Sequence, residues 1–140
     1  MFTLDAQLQA DTIDIGHLEL CQVLLAKDAN YPWLILVPKC KNITEIYQLS
    51  DQEQLQLMQE VSYVAKQMET HFLAEKMNVA ALGNVVSQLH LHVIARFSSD
   101  PAWPAPVWGK HQARPYEKDD LEATVNSLKA LLCERLRVTD

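Results

Sequence analysis

The segment Gln88-Leu89-His90-Leu91-His92-Val93-Ile94-Ala95-Arg96-Phe97 constrains this chain more than any other. Polar and apolar residues alternate through its first half, the pattern of a half-buried β-strand. Gln88, His90 and His92 then share one face, and Leu89, Leu91 and Val93 anchor the other in a core. Side chains two apart on a strand face stand roughly 6–7 Å from each other, because each residue rises about 3.3 Å. The strand thus offers a pair of imidazoles on a rigid support. A solvated strand face can carry such a pair without any function, so the neighbouring residues matter. Gly83-Asn84 lies just upstream in a chain with only 3 glycines, and it predicts a tight turn that carries an amide side chain.

The remaining segments supply partners for that strand. Leu4 to Ala10 predicts a short helix, and Ile13 and Ile15 alternate with polar neighbours towards Gly16, as in one arm of a hairpin. Leu18 to Ala26 is apolar and β-leaning, and it ends in the turn-rich run Lys27 to Pro32. Leu34 to Val37 is a continuous apolar run, expected of a central strand covered on both faces and closed by Pro38. Ser50-Asp51-Gln52-Glu53 has capping-box spacing, so a helix should begin there. Met58, Val61, Ala65, Met68 and Phe72 recur at helical intervals and predict a core-facing stripe through to about Lys76. Val79 to Leu82 reads as a short strand pairing with Gln88–Phe97 across the Gly83 turn. Glu117 to Leu136 reads as a second helix, with acidic residues in its first turn and leucines at helical spacing. Strands in antiparallel succession with one long middle helix and one terminal helix define an α+β domain. Between Phe97 and Tyr116 runs a stretch with four prolines, two tryptophans and Trp108-Gly109-Lys110-His111. Connections of that length usually serve a site or an interface.

The run Gly83-Asn84-Val85-Val86-Ser87-Gln88-Leu89-His90-Leu91-His92-Val93-Ile94 resembles the signature of the histidine triad family of nucleotide-binding hydrolases and transferases, His-φ-His-φ-His-φ-φ with φ apolar. Tyr31-Pro32-Trp33-Leu34-Ile35-Leu36-Val37-Pro38-Lys39 is similar to the family's central strand, and the chain is similar to the diadenosine polyphosphate hydrolase branch. Two positions depart from the pattern. Gln88 stands for the first triad histidine, and Trp33 stands where many members open the central strand with a histidine. The resemblance implies an antiparallel sheet of about five strands in a single domain over 1–140, with a core over 1–116 and a C-terminal helix over 117–140.

It also implies roles. His90 would be the nucleophile that attacks the α-phosphorus of a dinucleoside polyphosphate, phosphoramidate or acyl-nucleotide, giving a nucleotidyl-histidine that water or another acceptor resolves. Its second ring nitrogen would donate to the backbone carbonyl of Gln88, an acceptor that survives loss of the triad side chain. His92 would contact the phosphate and leaving oxygen as an imidazolium or as a donor. Asn84, Asp28, Asn78 and Gln88 would bind substrate: Asn84 the phosphate, Asp28 the ribose hydroxyls and Asn78 the leaving group. Asn30 is the alternative to Asp28, a helix-ending role the alternative for Asn78, and a turn cap the alternative for Asn84. Trp33 could lie beneath the pocket, with core filling favoured. Lys110 and His111, which form a basic cluster with Arg114, would meet distal phosphates, in the family often across a dimer interface. A homodimer is expected, with Trp103 to Trp108 at its centre or folded back on the chain.

Composition narrows the partners. A net charge of −6 argues against binding along a nucleic-acid backbone. Three cysteines without a C-x-x-C pair favour a reducing compartment over a disulfide framework. The start lacks a basic leader region and the longest apolar run is too short to span a bilayer, so a cytoplasmic protein with no membrane partner is expected. The expected ligand is a small nucleotide. No cofactor is required, although Mg²⁺ would accompany a polyphosphate. No phosphate-cradling glycine loop of the P-loop kind is present. Two further classes stay open. A nucleotide-binding protein with weak or no turnover is one, and a metal site using His90, His92 and either His111 or Cys40 is the other.

Overall fold

The computed structural model describes residues 1–138. The chain forms α1 (Ala6–Asp11), β1 (Thr12–His17), β2 (Cys21–Ala26), β3 (Trp33–Pro38), α2 (Asp51–Phe72), β4 (Lys76–Ala80), β5 (Leu91–Arg96) and α3 (Lys118–Leu131). The five strands make one antiparallel sheet in the order β1-β2-β3-β5-β4. The α+β class and the strand count therefore match the sequence expectation.

Period-two alternation divides the sheet into two working faces. Val23, Leu25, Leu34, Leu36, Leu91, Val93 and Ala95 point to the main core, where Leu57, Val61, Val64 and Met68 of α2 and Leu128 of α3 meet them. The opposite face carries Leu24, Ala26, Ile35 and Val37, on which Leu8 of α1 packs, and then Ile94 beneath Tyr31, Ala102 and Val107. Both faces of β2, β3 and β5 are thus covered, which is why their sequences run apolar.

The capping box at the start of α2 forms as its spacing predicts: Ser50 Oγ accepts from the Glu53 amide at 3.1 Å, and Glu53 Oε1 accepts from the Ser50 amide at 2.8 Å. The stripe is different. Met58 is 54% exposed and Leu57 takes the core position, so the buried line is Leu57, Val61, Val64 and Met68. The same face buries Glu60, whose carboxylate accepts from the amides of Leu20 and Cys21 at 2.8 Å each and so ties α2 to the β1–β2 connection. The helix stops at Phe72, short of Lys76, because Leu73 adopts the left-handed conformation (φ 56°) and returns the chain into β4. β4 consequently spans Lys76–Ala80 rather than Val79–Leu82.

The histidine strand is shorter than its pattern. β5 begins at Leu91, and the preceding residues are held instead by the Leu89 amide donating to the Ile43 carbonyl at 2.9 Å. α3 ends at Leu131, not Leu136, because the chain beyond it docks on the sheet edge, where Arg137 N donates to His17 O at 2.8 Å. Leu132 stays fully buried and Leu136 packs on the same cluster, so the helical spacing reports burial without reporting helix. Thr139 and Asp140, the end of the expected C-terminal helix, lie outside the described residues. Gly16, at φ 148°, sits at the bulge of β1 where a Cβ would meet the Arg137 carbonyl oxygen at 2.5 Å, so no larger residue fits.

Residues 97 to 117 contain no helix or strand, yet they are pinned. Arg96, only 2% exposed, donates to Asp100 at 2.8 and 3.1 Å, to Asn78 Oδ1 at 2.7 Å and to the Ala105 carbonyl at 2.8 Å. Asp100 in turn accepts from the amides of Phe97, Ala102 and Trp103. The Arg96 guanidinium also lies against the Tyr31 and Trp103 rings, at 5.7 and 5.8 Å from their centroids.

Candidate active site

On the α1-covered face of the sheet, a cavity of about 570 Å³ opens between α1, the 82–86 turn and the 107–113 segment. Its floor is Trp33 and Ile35 of β3 beside His90 and His92, and its walls include Leu8, Val86, Val107 and Trp108. Lys27 and Asp28 close one end, with His111 and Asp11 on the rim. A mainly apolar slot with a few polar groups suits a planar, partly polar ligand.

His90 is 5% exposed, and its Nδ1 lies 2.7 Å from the Gln88 carbonyl oxygen. A carbonyl can only accept, so Nδ1 carries the proton and Nε2 keeps its lone pair. Gly83 backs this ring. A Cβ there would meet the Val86 carbonyl oxygen at 2.7 Å and lie 3.8 Å from His90 Cε1, so the turn closes this tightly only around glycine.

The two imidazoles stand closer than strand spacing alone predicts, with ring centroids 4.9 Å apart and nearly perpendicular. His92 is 6% exposed. Its Nδ1 accepts from Trp33 Nε1 at 3.0 Å, and its Nε2 lies 3.5 Å from the Leu82 carbonyl oxygen. Burial and then the neighbouring His90 push its pKa down to about 4, against a smaller opposing effect of the Leu82 carbonyl. With its pKa held that low, His92 is neutral at pH 7, which favours the donor alternative over the imidazolium.

The other expected site residues divide. Asp28 is 8% exposed at the end of β2 and lines the cavity. Both of its hydrogen bonds, from the amides of Asn30 (3.0 Å) and Arg114 (3.2 Å), fall on Oδ1. Among the described residues, neither bond engages Oδ2. Asn30, the alternative, spends its side chain on the Gln112 carbonyl at 3.1 Å. Asn84 and His111 line the cavity, whereas Lys110 does not and stands exposed. Arg114 is likewise committed, donating to the Ala29 carbonyl at 2.7 Å.

Asn78 and Gln88 need correction. Asn78 is in the middle of β4, neither at a helix end nor on the cavity, and its amide oxygen serves Arg96. Gln88 uses both ends of its amide on the N-terminal segment: Oε1 accepts from Asp5 N and Nε2 donates to Thr3 O, each at 2.9 Å. It thereby fixes the segment leading into α1, which Asp5 caps, and lines only neighbouring polar clefts. An amide side chain, with a donating NH2 and an accepting oxygen, is suited to clamping backbone, so its role is architectural.

Sequence reasoning undervalued three groups: Trp33, Trp108 and α1. Trp33 is half-buried: it packs against the apolar clusters around Leu8 and around Tyr31, as the core reading expects, and it also lines the cavity. Trp108 stacks edge-on to Trp33 (5.9 Å) and to His92 (5.0 Å), and Trp103 lies over Arg96. Both tryptophans of the proline-rich segment thus contact their own chain, and Trp103 keeps 37% of its surface exposed. The parity of β3 carried a usable signal, since Trp33 and Ile35 share a face with the residues paired to them, Ile94 and His92. The metal reading lacks a third ligand. Among the described residues no group of three or more His, Cys, Asp or Glu gathers, and Cys40 donates to Glu53 at 3.2 Å.

Comparison with known proteins agrees with this geometry. The family model described as HIT domain matches residues 7–99. A histidine triad protein from Marinobacter aquaeolei VT8 is 47% identical, with TM-score 0.93 over 96% of this chain and 98% of that one. Histidine triad proteins from Bradyrhizobium japonicum (45% identity, TM-score 0.90, 92% and 96% of the chains) and Sinorhizobium meliloti 1021 (44%, 0.89, 97% and 98%) are similarly alike. None of the curated proteins matches. The chain belongs to the histidine triad family, whose members are generally nucleotide hydrolases or transferases. Among the described residues no helix is long and apolar enough to cross a membrane.

Proposed function

We propose that this protein is a nucleotidyl hydrolase or transferase acting at the α-phosphate of a dinucleoside polyphosphate, phosphoramidate or acyl-nucleotide, with His90 as nucleophile. One observation carries the reading: the 2.7 Å bond from His90 Nδ1 to the Gln88 carbonyl, which leaves the Nε2 lone pair available on a cavity wall. Nε2 forms a bond to phosphorus as the bond to the leaving group breaks. Water or another acceptor then attacks the nucleotidyl-histidine, and the P–N bond electrons return to His90. Asn84 would donate to phosphate oxygens, the contacting rings of Trp33 and Trp108 would hold the nucleoside on one side, and Asp28 Oδ2 would accept from ribose, a reading supported by the four residues lining one cavity. The reading needs no resident cofactor, and Mg²⁺ enters only as the counter-ion of a polyphosphate.

Incubation with α-labelled adenylylated and guanylylated substrates, followed by rapid quench, should yield acid-labile label on His90. Binding without label would instead support a nucleotide-binding protein that does not turn over. Asp28→Asn preserves an acceptor for the Asn30 and Arg114 amides and removes the charge. It should raise KM for ribonucleotide substrates about tenfold, with kcat within about twofold, because a sugar contact made equally in ground and transition states appears in KM. If 2′-deoxy substrates suffer equally, Asp28 is a turn residue only.

The same reading includes a cytoplasmic homodimer. The thiols Cys21, Cys40 and Cys133 are all unpaired, which fits a reducing compartment. β4 is a sheet edge that leaves Val79 46% exposed, a surface suited to burial by a second copy. Sedimentation at micromolar concentration should give twice the chain mass. A fully active monomer would remove the dimer from the reading.

A further inference from the structure

We propose that Trp33 is a positioning residue: by donating its indole N–H to His92 Nδ1 at 3.0 Å, it fixes His92 as the Nε2–H tautomer and keeps one hydrogen-bond donor beside His90. This rests on the reading of His90 as nucleophile. It extends that reading to a residue that touches no reacting atom.

The geometry admits one arrangement. A neutral imidazole has one donor nitrogen and one acceptor nitrogen, and the indole N–H can only donate. Nδ1 must then be the acceptor, so the ring proton sits on Nε2. There it faces the Leu82 carbonyl oxygen at 3.5 Å, at the outer limit of hydrogen bonding. A donor held so loosely can turn to a ligand oxygen at small cost. Protonation of His92 would place a second N–H against the indole N–H, sacrificing the bond and burying an unpaired charge. Nor can Nε2–H be surrendered to a leaving group without forming an imidazolate. His92 therefore contributes a hydrogen bond to phosphate or leaving oxygen and does not shuttle protons.

Among the described residues no charged side chain hydrogen-bonds this ring. It meets His90 just before β5, Trp33 and Ile35 on β3, its cross-strand partner Ala80 on β4, and the Trp108 ring on the segment after β5. The titratable groups Asp11, Lys27, Asp28 and His111 line the same cavity, and none hydrogen-bonds His92. The sheet makes the Trp33 contact. Ile35 is directly opposite His92, so Trp33 is its diagonal neighbour on one face, within reach of a long aromatic side chain.

The test begins with the wild-type protein. Long-range ¹H–¹⁵N spectra of the labelled chain should show His92 protonated at Nε2 and bare at Nδ1, unchanged between about pH 8 and about pH 5. A proton on Nδ1, or titration near the ordinary histidine value, would overturn the proposal without any variant being made. Trp33→Phe keeps an aromatic ring and deletes the donor. The expected result is a mixed His92 tautomer, an acid limb of kcat displaced to higher pH, and about a tenfold loss of kcat with KM changed less than about threefold. Trp33→His restores a ring N–H and should recover part of that loss. If a folded Trp33→Phe protein retains the His92 spectrum and the pH profile, Trp33 only packs. If the spectra follow expectation while no nucleotide substrate turns over, the nucleotidyl reading fails and the positioning of His92 stands.

Discussion

His90→Ala should abolish turnover, by on the order of 10³-fold or more, while nucleotide affinity stays within a few fold. The split follows from where His90 sits. Its ring is one element in a cavity that Trp33, Ile35, Val86 and Trp108 also line. On the nucleotidyl reading, truncation deletes the atom that would bond to phosphorus and little of what would hold the nucleoside. Steady-state kinetics with the best substrate of the panel, together with calorimetric titration of the nucleoside monophosphate, separates the two quantities. The variant should also lose covalent label completely. A variant that keeps full activity would remove the nucleophile from the mechanism. A loss of affinity equal to the loss of rate would mean that His90 supports the cavity itself. His92→Ala should cost less, because a hydrogen-bond donor is lost and the bond-forming atom is kept; equal losses would show that the pair acts as one unit.

What the sequence makes legible is local and periodic. Alternation around His90 and His92 places both on one face, and the Ser50/Glu53 pair marks the start of α2. The clamp from His90 to the Gln88 carbonyl is legible because it involves backbone two residues away, whatever side chain Gln88 carries. Other features lack a local signal. Leu73 ends α2 in a conformation that glycine or asparagine normally occupies, so the pattern runs on past it and displaces β4 by several residues. Asn78 looks like a helix-ending residue for the same reason. Gln88, Thr3 and Asp5 meet across more than eighty positions of chain, and Trp33 meets His92 across 59. Such pairings depend on strand order and register, which composition and spacing do not encode. The apolar run of β3 reports burial on both faces, but not that one face is the floor of a cavity.

Asp100→Ala should produce the largest loss of stability of any single substitution argued here, about 3–5 kcal/mol, because it strands a guanidinium inside the fold. The two side chains are 2% and 3% exposed, so Arg96 cannot recover its partner from water without the segment lifting away. Burial pushes the Asp100 carboxyl up, but the Arg96 hydrogen bonds and the amides of Phe97 and Trp103 outweigh it and hold the pKa at about 2. With the folded value depressed, this stabilisation is fully present above the ordinary carboxylate value of 3.8 and is lost as pH falls through about 2. Urea unfolding at pH 7 measures the first effect, and Tm should fall by on the order of 10 °C. Repeating it between about pH 5 and pH 3 should show the wild-type protein losing stability while Asp100→Ala, lacking the group, loses less. The consequence extends to the cavity, since the pinned segment carries Trp108 onto Trp33 and His92. Arg96→Met combined with Asp100→Leu should recover only part of the loss, because it removes the stranded charge but leaves the amides of Phe97, Ala102 and Trp103 and the oxygens of Asn78 and Ala105 without these partners. A loss below about 1 kcal/mol for Asp100→Ala would mean that the aromatic contacts of Arg96 with Tyr31 and Trp103 hold the segment without the ion pair.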